Sequence, residues 1–126
     1  MPPQTFRQIL GKQGEDLAVQ ELRRRGYAIL ARRYRTRFGE IDIVAEEAGA
    51  VIFVEVKARR SSKYGAATDA VPTWKQRRIA AMALDYLART NRLERPARFD
   101  VVAIDGIGTG KPNLQVIRDA FMSRGR

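Results

Sequence analysis

Two runs of strong strand formers, EIDIVAEE (residues 40–47) and AVIFVEVKAR (residues 50–59), are separated in this chain by Ala48 and Gly49 alone. Strands that close in sequence can pair only by folding back on each other, so this stretch predicts an antiparallel hairpin. A turn centred on the Ala48–Gly49 bond, whether of two or four residues, sets Asp42 opposite Glu55 and Glu40 opposite Lys57. All four then project from one face, and Ile41, Ile43, Val54 and Val56 form the apolar face behind them. A bulge would shift this register, and bulges are common near active sites.

The rest of the chain supplies the remaining layers of a fold. Phe6, Leu10, Gly14, Leu17, Ala18 and Leu22 recur at helical spacing, and Gly26 stops the run. YAILARRY then reads as a strand ahead of the hairpin. After the polar stretch RRSSKYGAATDA, Thr73 and Gln76 have capping-box spacing, and Ile79, Met82, Ala83, Tyr86 and Leu87 follow with helical periodicity to about Arg89. RFDVVAID and LQVIRDAF read as two further strands across the loop GIGTGKPN. The order is helix, three strands, helix, two strands. A crossover from the hairpin's second strand through the second helix to RFDVVAID has to be parallel, so the expected class is α/β: a mixed central sheet flanked by helices. At 126 residues, with no linker or repeat, the chain is expected to form a single domain over residues 1–126.

Composition narrows the chemistry. The chain has no cysteine and no histidine, which removes thiolate chemistry, the usual general base and the usual transition-metal ligand. No signal-peptide-like or membrane-spanning apolar run is present, so a cytoplasmic protein without membrane association is expected. The 24 Lys and Arg against 14 Asp and Glu give a net charge of +10, as suits a polyanionic partner, nucleic acid before membrane. The cations cluster at Arg23–Arg25, at Arg32, Arg33, Arg35 and Arg37, at Lys57, Arg59, Arg60 and Lys63, and at Lys75, Arg77 and Arg78. Tyr34, Tyr64 and Trp74 lie in or beside these clusters, where they could pack or stack on bases.

Two carboxylates facing each other across a hairpin destabilise it unless a positive charge lies between them. A lysine can supply that charge, and a divalent cation supplies more of it. With hard oxygen ligands only, the ion would be Mg²⁺ or Mn²⁺. Lys57, two residues past Glu55, carries its ammonium along the same face about 7 Å away. Acid, acid-x-lysine and metal together suit phosphodiester hydrolysis, which requires an activated water and relief of charge on the phosphate. The competing reading is a set of solvated cross-strand ion pairs.

Elsewhere the residues admit two readings each. Glu15 sits at the rim of the first helix's apolar stripe, either as an ordinary boundary residue or within reach of the sheet edge. Lys75, in the first turn of a helix, opposes the macrodipole but could help hold a phosphate. Asp100 is favoured as a structural ion pair over a metal ligand. GIGTGK is one residue short of a P-loop and runs into Pro112, so it is read as a hairpin loop without nucleotide.

GEIDIVA, VIFVEVKAR with Gly65 in the following loop, Lys75 opening the next helix, RFDVV, and Gly14-Glu15 with Leu17 and Ala18 together resemble the YraN family of small bacterial proteins over roughly residues 14–121. That family is similar to the restriction-endonuclease-like superfamily, and to archaeal Holliday junction resolvases in particular. The resemblance implies an α-β-β-β-α-β core plus a C-terminal strand. It also implies a metal-dependent endodeoxyribonuclease of the PD-(D/E)xK type: Asp42 and Glu55 as metal-binding acids, Lys57 as the catalytic lysine, Glu15 as a further acid and ligand from the first helix, and the Val56 carbonyl as another ligand. Arg35, Arg59, Arg60, Lys63, Tyr64 and Lys75 are the expected nucleic-acid contacts. Branched DNA is the expected partner, and a homodimer would suit two-strand cleavage at a junction. Two other readings stay open: a protein of this fold that recognises nucleic acid structure without cutting it, and a basic module for an RNA or ribosomal partner.

Overall fold

The computed structural model describes residues 3–59 and 71–121 of the chain. Arg60, Lys63, Tyr64 and Gly65 lie outside the described residues. The elements are α1 (Phe6–Arg24), β1 (Ala28–Thr36), β2 (Gly39–Glu47), β3 (Ala50–Arg59), α2 (Thr73–Arg89), β4 (Ala97–Asp105) and β5 (Asn113–Ile117). The strands form one five-stranded sheet in the order β1-β2-β3-β4-β5. β3 and β4 run parallel across the α2 connection, and the other neighbours are antiparallel. This is the α/β class with the α-β-β-β-α-β core and added C-terminal strand that the sequence led us to expect.

The two helices cover opposite faces. Ala18, Val19 and Leu22 of α1 pack with Ile43, Ile52, Val54, Val102 and Ile104. Ile79, Met82, Tyr86 and Leu87 of α2 pack with Val44, Val51, Phe53, Phe99 and Val101 on the other side. Val51–Val54 of β3 and Val101–Ile104 of β4 are apolar on both faces, as stretches covered on both sides must be.

Two local features differ from expectation. The capping box belongs to α1: Gln8 N–H donates to Thr5 Oγ1 at 3.1 Å and Thr5 N–H to Gln8 Oε1 at 2.8 Å. At α2 the N-cap is Pro72, which has no side chain able to cap, and Gln76 Nε2 instead donates to the Val71 carbonyl at 2.7 Å. β5 stops at Ile117, short of the run read from sequence. Asp119, with φ 55°, turns the chain there, and Phe121 stacks on Phe99 with ring centroids 4.8 Å apart.

Gly14 sets how closely α1 approaches the sheet. A Cβ at this position would lie 3.1 Å from Ile107 Cδ1 and 3.2 Å from Ala58 Cβ. Gly14→Leu is therefore expected to push α1 off β3 and lower stability by roughly 1–3 kcal/mol, read from the denaturant midpoint. An unchanged midpoint would show that this contact does not set the helix position.

Candidate functional site

The β2–β3 hairpin pairs in the expected register, from Glu47 with Ala50 to Ile43 with Val54, and then the ladder ends. Beyond that point β3 continues beside β4 as far as Arg59 and Asp105, while β2 stays with β1 down to Gly39 and Thr36. Asp42 stands where the strands part. The Val56 N–H would lose its partner there, and it donates instead to Asp42 Oδ2 at 2.7 Å. In an extended strand the N–H and C=O of one residue leave by the same edge, so the Val56 carbonyl faces the same gap.

The apolar face expected behind the acids is correspondingly broken. Ile43, with Val54 and Val56, belongs to the α1 side, but Ile41 packs on the α2 side. Two residues of one strand spaced by two share a face unless the strand rotates between them. Across from Asp42, Arg33 has φ 52°, an unusual backbone for a non-glycine residue. With that rotation Arg32 and Arg33 both reach α1, where their Nε groups donate to Glu15 Oε1 and Oε2 at 2.7 Å each, and Arg32 Nη2 also meets Asp16 at 2.6 Å. Glu15 is buried, yet both its oxygens are neutralised.

Glu55 is met from the other face. Lys75, in the first turn of α2, brings its ammonium to 2.5 Å from Glu55 Oε1. A cation that is out of place relative to the helix dipole thus has a carboxylate partner on the sheet. Lys57 follows Glu55 by two residues on β3, level with Ala103 of β4.

Asp42 carries the electrostatic cost of this crowding. Burial first and the neighbouring Glu55 carboxylate second raise its pKa to about 7, against the opposing pull of the Val56 N–H and of Lys75. The native state therefore keeps a proton that the unfolded chain has lost between pH 4 and 7, and stability falls as pH rises through that interval. Asp42→Asn retains an oxygen for the Val56 N–H and carries no charge. Without metal it should match the parent near pH 4 and exceed it by on the order of 4 kcal/mol at pH 8. Parallel stability curves for the two proteins would show that Asp42 ionises without strain.

Among the described residues no three Asp, Glu, His or Cys side chains are grouped as a ready metal nest. What the fork offers is two carboxylates and one carbonyl. This set suits Mg²⁺, which keeps several waters and is bound through one or two carboxylates plus substrate phosphates.

The other expected contacts are spread more widely. Arg35, on β1, is exposed and meets Glu40 at 3.2 Å, so Glu40 faces Arg35 and its pairing with Lys57 is absent from the ladder. Arg59 closes β3, its carbonyl accepting from Ile107 N–H at 2.9 Å. Tyr34 is a packing residue: its ring meets Tyr86 edge-on at 5.1 Å and its hydroxyl donates to Asp85 at 2.6 Å. Arg32 and Arg33 stood out in the sequence only as members of a basic cluster. The signal that could have placed them was a pair of arginines on a strand beside a helix bearing Glu15 and Asp16.

Asp100 is fully buried and structural. It accepts from Tyr27 Oη at 2.8 Å, Arg98 Nε at 2.9 Å and Asp119 N–H at 2.9 Å. Burial and this bond to Asp100 push the Tyr27 hydroxyl up to about 12.

The described helices are not long and apolar enough to cross a membrane. The model of the uncharacterised protein family UPF0102 matches residues 14–104. A UPF0102 protein of Syntrophus aciditrophicus strain SB is 49% identical over 112 residues, covering 88% of this chain and 87% of its own length. Relatives of the same name from Geotalea uraniireducens strain Rf4 and Symbiobacterium thermophilum are 46% and 44% identical, each over 89% of this chain and over 88% and 95% of their own lengths. The matched span takes in α1 from Gly14, the forked hairpin, α2 and β4, and the chain belongs to family UPF0102, the YraN family whose motifs its hairpin and second helix carry.

Proposed function

We propose that this protein is a metal-dependent endonuclease that hydrolyses DNA phosphodiester bonds, with branched DNA as its preferred form. The observation that carries the reading is Asp42, held at the fork of β2 and β3 beside Glu55 with its pKa raised to about 7. Such a site favours a proton or a divalent cation over a bare carboxylate. Asp42, Glu55 and the Val56 carbonyl would hold Mg²⁺ or Mn²⁺, with Glu15 as a further acid once released from Arg32 and Arg33. When bound, the ion supplies an activated water and offsets charge on the phosphate. Lys57 orients the scissile phosphate or stabilises its developing charge, and Lys75 leaves Glu55 to meet a phosphate oxygen. Arg35, Arg59 and, outside the described residues, Arg60, Lys63 and Tyr64 would track the backbone on either side. Two copies of the chain would place two such sites on a junction.

A second reading has an observation of its own. Lys75 on Glu55 and Arg32 with Arg33 on Glu15 neutralise two of the acids without metal, as a protein that binds DNA structure without cutting it would require.

Thermal unfolding with and without Mn²⁺ separates the two. At pH 8 an ion at 100 times its Kd should stabilise the parent by about 2.7 kcal/mol. The gain should shrink at pH 6, where a proton competes for Asp42, and vanish in Asp42→Asn. Cleavage of a four-way junction, a flap and several linear duplexes at matched salt completes the test. Stabilisation with junction or flap cutting supports the enzyme. Structure-selective binding with no Mn²⁺ effect on the melt supports the binder, and equal affinity for every form removes both.

A further inference from the structure

Trp74 is the chain's one tryptophan, and it lies in the first turn of α2 with 59% of its surface exposed. Ile79, Met82, Tyr86 and Leu87 of that helix are buried, and Leu84 is its other exposed large apolar residue. One turn on, the Arg78 guanidinium sits over the Trp74 ring, 4.9 Å from its centroid. The turn between β1 and β2 repeats the arrangement. Phe38 is 43% exposed there, and the Arg37 guanidinium lies 4.8 Å over its ring.

The two ring–guanidinium pairs adjoin each other. Arg78 Cδ comes within 3.6 Å of the point a Cβ on Gly39 would occupy, so the side chain that covers Trp74 also lies against the residue following Phe38. Both pairs border the fork. Lys75, next to Trp74, holds Glu55, and Gly39 opens the strand that carries Asp42. A single exposed aromatic is ordinary on a protein surface. Two on adjoining turns, each topped by a guanidinium and both beside a group of carboxylates and lysines, make a surface with apolar faces for bases and cations for the phosphates between them.

We infer that Trp74 and Phe38, with Arg78 and Arg37, form a stacking platform for unpaired nucleobases at the edge of the fork. The preferred substrate therefore carries a single-stranded arm or an unstacked branch point beside the scissile phosphate. This names the substrate class of the proposed nuclease site and rests on that reading, but its test requires no metal. Stacking tolerates any base, so the platform selects strand state without selecting sequence.

Because Trp74 is the only tryptophan, its fluorescence reports on the platform directly. Metal-free protein is titrated with oligo-dT, a blunt duplex of equal length and a flap, at matched salt. Saturable quenching by oligo-dT and the flap, with little by the blunt duplex, is the expected result. By anisotropy, Trp74→Ala should lose about tenfold in affinity for oligo-dT while its duplex affinity stays within about twofold, and Trp74→Phe should recover most of the loss. An unchanged melting temperature in Trp74→Ala shows that the loss is one of contact and leaves the fold intact. A parallel titration with oligo-rU tells whether the platform accepts RNA as well as DNA. Equal quenching by dT and duplex, or undiminished dT affinity in Trp74→Ala, overturns the platform. A shift in emission on raising protein concentration alone also overturns it, by making the ring a protein–protein contact. Quenching by dT with no Mn²⁺ effect on the melt leaves the platform standing and removes the nuclease. The reverse pattern keeps the nuclease and removes the platform.

Discussion

Asp100→Ala is expected to lower stability by about 3–5 kcal/mol, a large part of what holds a domain of this size together. Asp100 is fully buried, and removing its carboxylate strands three donors at once. Arg98 loses partners at 2.9 and 3.1 Å, and Tyr27 and Asp119 lose theirs at 2.8 and 2.9 Å. Arg98 keeps Glu47 at 3.0 Å, which limits the damage but leaves a guanidinium half-satisfied in a largely buried position. These bonds tie β4 to Tyr27, just ahead of β1, and to the turn after β5, so their loss reaches three parts of the chain together. A drop of roughly 10–20 °C in melting temperature would be the visible result. Asp100→Asn, which keeps the shape and loses the charge, should fall between the two. A cost below about 1 kcal/mol for Asp100→Ala would mean that the surrounding donors find water or other partners, and that Asp100 is not the structural acid its contacts make it.

The second large effect belongs to the nuclease activity proposed above. Lys57→Ala should reduce Mn²⁺-dependent cleavage by about 10²–10³-fold, the scale seen when a single donor aimed at developing charge is removed. The melting temperature and the Mn²⁺ stabilisation should change little, because Asp42, Glu55 and Val56 remain. DNA affinity should fall only slightly, with the salt-dependence slope reduced by about 0.9 for one phosphate contact. Lys75→Ala should behave differently. Removing the ammonium from Glu55 leaves two carboxylates at the fork without their nearest cation, so metal should stabilise this variant more than it stabilises the parent. If Lys57→Ala cuts as well as the parent, the lysine has no catalytic role. Loss of cutting together with an equal loss of DNA affinity would make it a binding residue.

Much of the candidate site was legible because its residues are close in sequence. Asp42, Glu55 and Lys57 lie on one hairpin, whose register from Glu47–Ala50 to Ile43–Val54 follows from the position of Ala48 and Gly49, but the ladder ends before Asp42 and Glu55 can pair. The sequence pattern also kept GIGTGK out of nucleotide chemistry, and it forms the loop between β4 and β5 with Ile107 buried. The same regular alternation misplaced Ile41, because an ideal strand does not rotate at its third residue. Spacing alone places a capping box at Thr73 and Gln76, but TFRQ at Thr5 has the same spacing and Pro72 occupies the cap position of α2.

The order of elements, the α/β class, the two covered faces of the sheet and the identity of the hairpin acids were determined by the sequence itself. Each depends on periodicity or turn chemistry within a few residues, and those local preferences agree with the fold. Only the tertiary structure decided where the two strands part, which cation neutralises which acid, and that Asp100 belongs to the core. Those outcomes depend on side chains far apart in sequence, such as Tyr27 and Asp100 at a separation of 73 residues, meeting in a space whose shape no local pattern contains. Lys75 reads as a misplaced charge along its own helix and as Glu55's partner across the sheet. Burial beside a second carboxylate, a property of the packed chain alone, is what raises Asp42 to about 7.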